Sequence, residues 1–165
     1  MARNIIESAA TVSLLDRLTD EDPTNPYEVP MTRAESVRKI KADVRRHLEW
    51  LMNTRRIAVE PPEGLKETAR SVYTYGLPDL LGYATAATKE RQRLLRTLQN
   101  AVRLFEPRLA SVRVLPLDEN SPSRQTLSFR IEGLLIMDPA PERVSFDTVL
   151  EITRGEYSIK GGSDA

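Results

Sequence analysis

The sequence predicts an α+β fold, with N-terminal helices packed on a small C-terminal antiparallel β-sheet, a meander. Three observations carry that prediction. Apolar residues recur at steps of three and four before Phe105, the period of an amphipathic helix. After Pro107 the period shortens to two, the period of a half-buried strand. Helical patterns come first and strand patterns last, the order of an α+β domain rather than of an alternating parallel one.

The first ten residues are expected to be loose. In "SLLDRL", Leu14, Leu15 and Leu18 share one helical face, but so short a helix is unstable alone and must dock on something. "TDEDPTNPYEVPMT" follows, rich in proline and acids, and reads as an exposed linker. Residues 1–31 are therefore taken as an N-terminal segment, 32–160 as a single domain and 161–165 as a tail.

Thr32 and Glu35 have the spacing of a capping box. Val37, Ile40, Val44, Leu48 and Leu51 then mark one apolar stripe, which predicts a helix over about 33–53. "IAVEPPEG" breaks the pattern, and "LKETARSVYTYG" suggests a short helix ending near Gly76. A second long helix is expected over about 88–105, with Thr88 as its cap and Leu94, Leu95, Leu98, Val102 and Phe105 inward.

"ASVRVLPL" is a strand candidate that Pro116 confines to an edge or ends. "QTLSFRIEGLLIM" places Leu127, Phe129, Ile131, Leu135 and Met137 on one side. Leu134 and Ile136 fall on the other, so the second half of this strand is expected to be covered on both faces. In "VSFDTVLEI", Val144, Phe146, Leu150 and Ile152 oppose Ser145, Asp147 and Glu151, the alternation of a half-exposed strand. "TRGEYSI" closes a hairpin in which Gly155 supplies a positive φ, and "GGSDA" reads as frayed.

Composition narrows the function. The 165 residues suggest one core, and 24 basic residues balance 24 acidic ones, so no global field draws the chain to nucleic acid or anionic lipid. Arg45, Arg46, Arg55 and Arg56 are read as a solvated helix face or a protein contact in preference to a nucleic-acid patch. The absence of cysteine excludes disulfides and thiolate chemistry. No secretory pattern opens the chain, and no apolar run approaches the roughly 20 residues that span a bilayer. A cytoplasmic protein is expected, held at any membrane by partners.

Walker, GxGxxG, HExxH and GxSxG patterns are missing. The single histidine, His47, cannot alone supply a zinc site, and in mid-helix it reads as a packing or surface residue. No metal or cofactor is expected. Carboxylate chemistry survives this elimination. Glycoside hydrolysis needs two acids, and Glu106 with Glu132 or Asp147 is a formal pair.

"FEPRL", at the helix-to-strand junction, is the other candidate site. An acid at a helix C-terminus opposes the macrodipole at a cost of roughly 0.3–1 kcal/mol. Pro107 disfavours helical geometry at Glu106. An extended Glu106-Pro107-Arg108 segment would project its two charged side chains to one side. That arrangement is either a solvated ion pair or a preorganised anchor for another chain, and the residues leave both open. The sheet edges, and the apolar second half of "QTLSFRIEGLLIM", are further contact surfaces to consider.

"SLLDRL", "VRRHLEWLMNTRR", "YGLPDL", "FEPRL", "LSFRIEGLL" and "VSFDTVLEITRGEYSI" occur in that order. This ordered set resembles the phage baseplate wedge family, often labelled lysozyme-like, in its type VI secretion (TssE) branch. The resemblance covers nearly the whole chain. It implies a non-enzymatic baseplate component in the cytoplasm, at the inner face of the inner membrane. The partners it implies are the wedge proteins TssF, TssG and TssK and the sheath proteins TssB and TssC, near the Hcp tube. The family motif falls on Glu106, Pro107 and Arg108, implying that they contact protein neighbours rather than sugar. The implied fold, helices on a small antiparallel sheet, agrees with the pattern read above. His47 stands where the family more often has an acid. A muramidase-like hydrolase and a small regulatory adaptor on the same fold are the alternatives.

Overall fold

The computed structural model describes residues 14, 18–19, 32–79, 88–117, 126–138 and 140–164. Leu14 and Leu18 are helical and exposed. The rest of the docking segment, nearly all of the proline-rich linker and the "DENSPSR" turn lie outside the described residues.

Helix α1 spans Arg33–Asn53, as the apolar stripe predicts. Its capping box is formed: the Glu35 N–H donates to Thr32 Oγ1, and the Thr32 N–H donates to the Glu35 carboxylate at 2.8 Å. Ile40, Val44, Leu48 and Leu51 are buried. Val37 is only half-buried, and Ser36 takes the buried place beside it. Its hydroxyl is satisfied by the Thr32 carbonyl at 3.1 Å, which is what permits a polar group there.

The segment expected to form a short helix instead makes two 3-10 turns, Thr68–Arg70 and Val72–Thr74. Ser71 separates them. Its hydroxyl donates to the Thr68 carbonyl at 2.9 Å and accepts from the Tyr73 N–H at 3.2 Å. Such local side-chain bonds compete with a continuous helical ladder. Gly76 does end the segment, with φ +99°. A Cβ at this position would lie 2.5 Å from the Thr54 carbonyl oxygen, so glycine is required. That close approach lets the Leu77 N–H reach Thr54 O and the Arg56 N–H reach Leu77 O, each at 2.8 Å. The loop is thereby fastened to the end of α1, and Leu77 enters the core.

Helix α2 spans Thr88–Phe105, with Thr88 its first residue rather than a preceding cap. Leu94, Leu98 and Val102 are buried, while Leu95 and Phe105 pack half-buried against the same core.

Four strands follow: β1 Leu109–Pro116, β2 Thr126–Leu135, β3 Glu142–Glu151 and β4 Glu156–Asp164. They pair in sequence order and every pairing is antiparallel, so the chain is an α+β fold with its helices N-terminal to a meander. Leu127, Phe129, Ile131 and Leu135 of β2 share the helix-facing core with Val144, Phe146 and Leu150 of β3 and Tyr157 and Ile159 of β4. Gly155 closes the last hairpin at φ +68°.

Three strand features depart from expectation. First, β1 carries a bulge between Ala110 and Arg113, with Ser111 at φ +53°. The extra residue resets the alternation, so that Leu109, Val112 and Val114 all reach the core. Second, the far face of β2 is not covered. Leu134 is half-buried and Ile136 is 60% exposed, because both helices pack on the other side. Third, "GGSDA" is not frayed as far as Asp164. The pairs Ser145↔Ser163 and Val144↔Asp164 continue the ladder; β3 is long enough to template them, and backbone pairing needs no side chain.

Helix side chains close parts of both sheet edges. On β4, Asn53 Nδ2 donates to the Tyr157 carbonyl at 2.9 Å, and the Tyr157 N–H donates to Asn53 Oδ1 at 2.8 Å. On β1, the Val114 N–H donates to Gln99 Oε1 at 3.3 Å and Arg103 Nη2 donates to the Val112 carbonyl at 3.0 Å. Backbone groups that would otherwise recruit another strand are occupied.

Two consequences can be measured. Thr148 is fully buried on the core face, and its hydroxyl has no hydrogen-bond partner among the described residues. Thr148→Val keeps the shape and removes the orphan group, so it raises stability by about 1 kcal/mol in urea titrations. Burial against Phe129 pushes the Tyr157 hydroxyl up to about 12. Its ordinary value is about 10, so the unfolded chain ionises first. The stability contributed by Tyr157 is full below about pH 10 and falls as pH rises toward 12. Tyr157→Phe flattens that decline in alkaline unfolding curves.

Candidate functional site: the Glu106–Arg108 clasp

Helix α2 ends because Pro107 cannot continue it. The last helical bond is made by Glu106 itself, whose N–H reaches the Val102 carbonyl at 2.8 Å. The chain then turns tightly rather than extending, with the Leu109 N–H donating to the Glu106 carbonyl at 3.1 Å. Pro107 occupies the second position of this turn, where its fixed φ is favourable. The Arg108 carbonyl then accepts from the Ile136 N–H at 2.8 Å, which carries the chain into the sheet.

The turn overturns the expectation that Glu106 and Arg108 project outward together. Glu106 is 3% exposed. Arg108 folds back on it, its Nε donating to Oε1 at 2.7 Å and its Nη2 to Oε2 at 2.8 Å. This is the two-pronged geometry that guanidinium and carboxylate share. It also resolves the conflict with the helix dipole, because the charge of Glu106 is met by Arg108.

His47 of α1 completes the arrangement. Arg108 Nη2 lies 2.7 Å from His47 Nδ1, and the same ring nitrogen is 3.7 Å from Glu106 Oε2. Arginine carries donors only, so in the contact with Arg108 the ring nitrogen is the accepting partner. The clasp thus joins the middle of α1 to the junction between α2 and β1, 61 positions further along the chain. Sequence reasoning left His47 without a role. The signal available was its place beside the apolar stripe, but its contact with Arg108 spans 61 positions and has no local signature.

Beside the clasp lies a concavity of about 240 Å³ lined by His47, Trp50, Leu51, Tyr75, Phe105 and Glu106. Trp50 is 48% exposed. It stacks on His47 at 5.5 Å, and the Arg46 guanidinium lies 5.6 Å from its ring centre. Tyr75 meets Phe105 edge-on. Burial, and then the nearby charge of Glu106, raise the Tyr75 hydroxyl above its ordinary value.

The two-acid arrangement is not assembled. Glu106 sits on the helix side, with both oxygens engaged by Arg108. Glu132 and Asp147 lie on the opposite face of the sheet, in register with neighbours that point away from the core. Asp147 is bonded to Arg130 at 2.6 Å, and the Arg130 hydrogen bond holds its carboxyl below the usual range. Of the four arginines weighed as a basic patch, Arg46 has Asp43 as an acidic neighbour, Arg55 has Asp79 and Arg56 has Glu60. Among the described residues no group of three or more histidines and acids could hold a metal ion. No helix among them is long and apolar enough to cross a membrane.

The fold and the clasp define an α+β module in which a buried carboxylate, Glu106, is paired at the junction of its elements. The family model for baseplate wedge protein gp25 matches residues 38–140, from within α1 to the turn before β3, and the chain belongs to that family, whose members are structural proteins of baseplates. No curated protein matches the chain.

Removing Arg108 strands a buried carboxylate. Arg108→Ala is expected to destabilise the domain by about 3 kcal/mol, the low end of the range for a broken buried pair, because the arginine is 27% exposed. Replacing both partners by apolar residues, Glu106→Met with Arg108→Leu, removes the orphan and recovers part of that loss. Denaturant midpoints of the single and double variants test this; a double variant less stable than Arg108→Ala contradicts it.

Proposed function

We propose that the chain is the TssE-type subunit of a type VI secretion baseplate. In this reading it binds the wedge proteins TssF, TssG and TssK and helps start assembly of the TssB–TssC sheath around the Hcp tube. It works in the cytoplasm, against the inner face of the inner membrane, and its partners hold it there. The observation that carries the reading is the family match across both long helices and the first two strands, together with the ordered motifs that end in Glu106-Pro107-Arg108.

Glu106, Pro107 and Arg108 act in partner binding through the shape they impose. Glu106 is buried, so its contribution is to fix Arg108 and, through it, His47. Arg108 keeps an accessible edge, and the exposed Trp50 stands beside the concavity next to it. An aromatic residue and an arginine on a rigid support are the residue types that dominate protein interfaces.

In cells with a working type VI apparatus, deletion of this gene abolishes fluorescent TssB sheaths, and the wild-type chain restores them. Trp50→Ala, which changes an exposed side chain, leaves the fold intact and reduces sheath number several-fold. Normal sheaths in the deletion strain would refute the assignment.

A further inference from the structure

The face of the sheet turned away from the helices carries a concavity outside the core and the clasp, beside the bulge of β1. Ser111 at the β1 bulge holds a positive φ, a backbone state that non-glycine residues adopt at a cost and that tends to mark functional positions. Across from it on β2 is Gly133, where a Cβ would approach the Ala110 carbonyl oxygen to 3.2 Å. Missing side-chain bulk there, and the kink of the bulge, leave a concavity of about 320 Å³.

Arginines flank it on both sides. Arg113 pairs across the strands with Glu132, and Arg143 with Leu134; all four side chains line the concavity or its rim. Arg113 and Arg143 are exposed, and among the described residues neither forms an ion pair or hydrogen bond. One step along the same face Arg130 and Asp147 neutralise each other. At the concavity two guanidinium groups face the single carboxylate of Glu132, an excess of positive charge. Ile136 and Leu115 stand exposed on the same face. Arginines interleaved with exposed aliphatic residues have the composition of a protein interface.

We propose that this concavity is the docking site for an acidic segment of a partner protein. Carboxylates of that segment pair with Arg113 and Arg143, while its apolar residues cover Leu134 and Ile136. Asn53, Gln99 and Arg103 occupy backbone groups on the two sheet edges, so the partner lies across the face rather than extending the ladder there. The proposal rests on the baseplate reading, in which the partner is a neighbouring subunit. The competing occupant is the acidic linker of the chain itself, with Asp20, Glu21, Asp22 and Glu28.

The test uses the full chain with co-expressed TssF and TssG. Arg113→Lys with Arg143→Lys keeps both charges and supplies amines that a carbodiimide couples to contacting carboxylates. Crosslinks from positions 113 and 143 to aspartates or glutamates of TssF or TssG are expected by mass spectrometry. Crosslinks confined to the chain's own linker, or none, overturn the proposal. Charge reversal, Arg113→Glu with Arg143→Glu, is expected to weaken binding at least tenfold at low salt, with wild-type affinity falling as salt is added. Unchanged binding by the reversal variant overturns this inference and leaves the baseplate assignment standing. Failure of the wild-type chain to bind TssF–TssG overturns both.

Discussion

A carboxylate shut away from water must be paired where it lies, and the pairing of Glu106 with Arg108 constrains everything around it. The pair works only if the chain reverses within the turn from Glu106 to Leu109. That reversal sets where α2 stops and where β1 begins. The third contact, to His47, fixes the middle of α1 against the same point. Three elements, α1 and the adjoining ends of α2 and β1, thus converge on one guanidinium group. Arginine suits the task because its planar fork satisfies the carboxylate through Nε and Nη2 while Nη2 also reaches the imidazole. Lysine offers a point charge and could not hold that geometry.

The core is built outward from this junction. One face of the sheet is sealed by both helices, and the bulge at Ser111 lets Leu109 and Val112 share it despite their odd spacing. The helices also reach around the sheet: Asn53 occupies backbone groups at one edge, and Gln99 with Arg103 does so at the other. These contacts answer a general hazard of small sheets, whose open edges invite pairing with any extended chain. Among the described residues, the far face of the sheet and the clasp-side surface around Trp50 remain open to partners. A scaffold with partly closed edges suits a component of an ordered assembly.

The acids Glu106, Glu132 and Asp147 are not assembled into a facing pair. Glycoside hydrolysis needs two acids facing each other across a sugar. Here the buried acid is held by arginine, and the other candidates lie across the sheet. Glu106 has the burial of a catalytic acid, but that burial serves architecture.

Much of the fold was legible in the residues. The capping box at Thr32 and Glu35, both long helices, the change of period at Pro107 and the turn at Gly155 all depend on neighbours within a few positions, and local spacing encodes them directly. The family is equally legible, because its motifs keep their order along the chain. Elsewhere local signals competed and contact decided. Ser71 broke a helix that propensity allowed. Asp164 stayed in a ladder because β3 was there to template it. The bulge at Ser111 was chosen by the need to bury residues of unmatched parity. The direction of Arg108 was decided in the same way. Spacing set Glu106 and Arg108 two apart, but whether they point outward or clasp each other depends on the depth at which α1 and the sheet bury Glu106. Desolvation of that carboxylate is a tertiary event, and its cost is what turns the arginine inward.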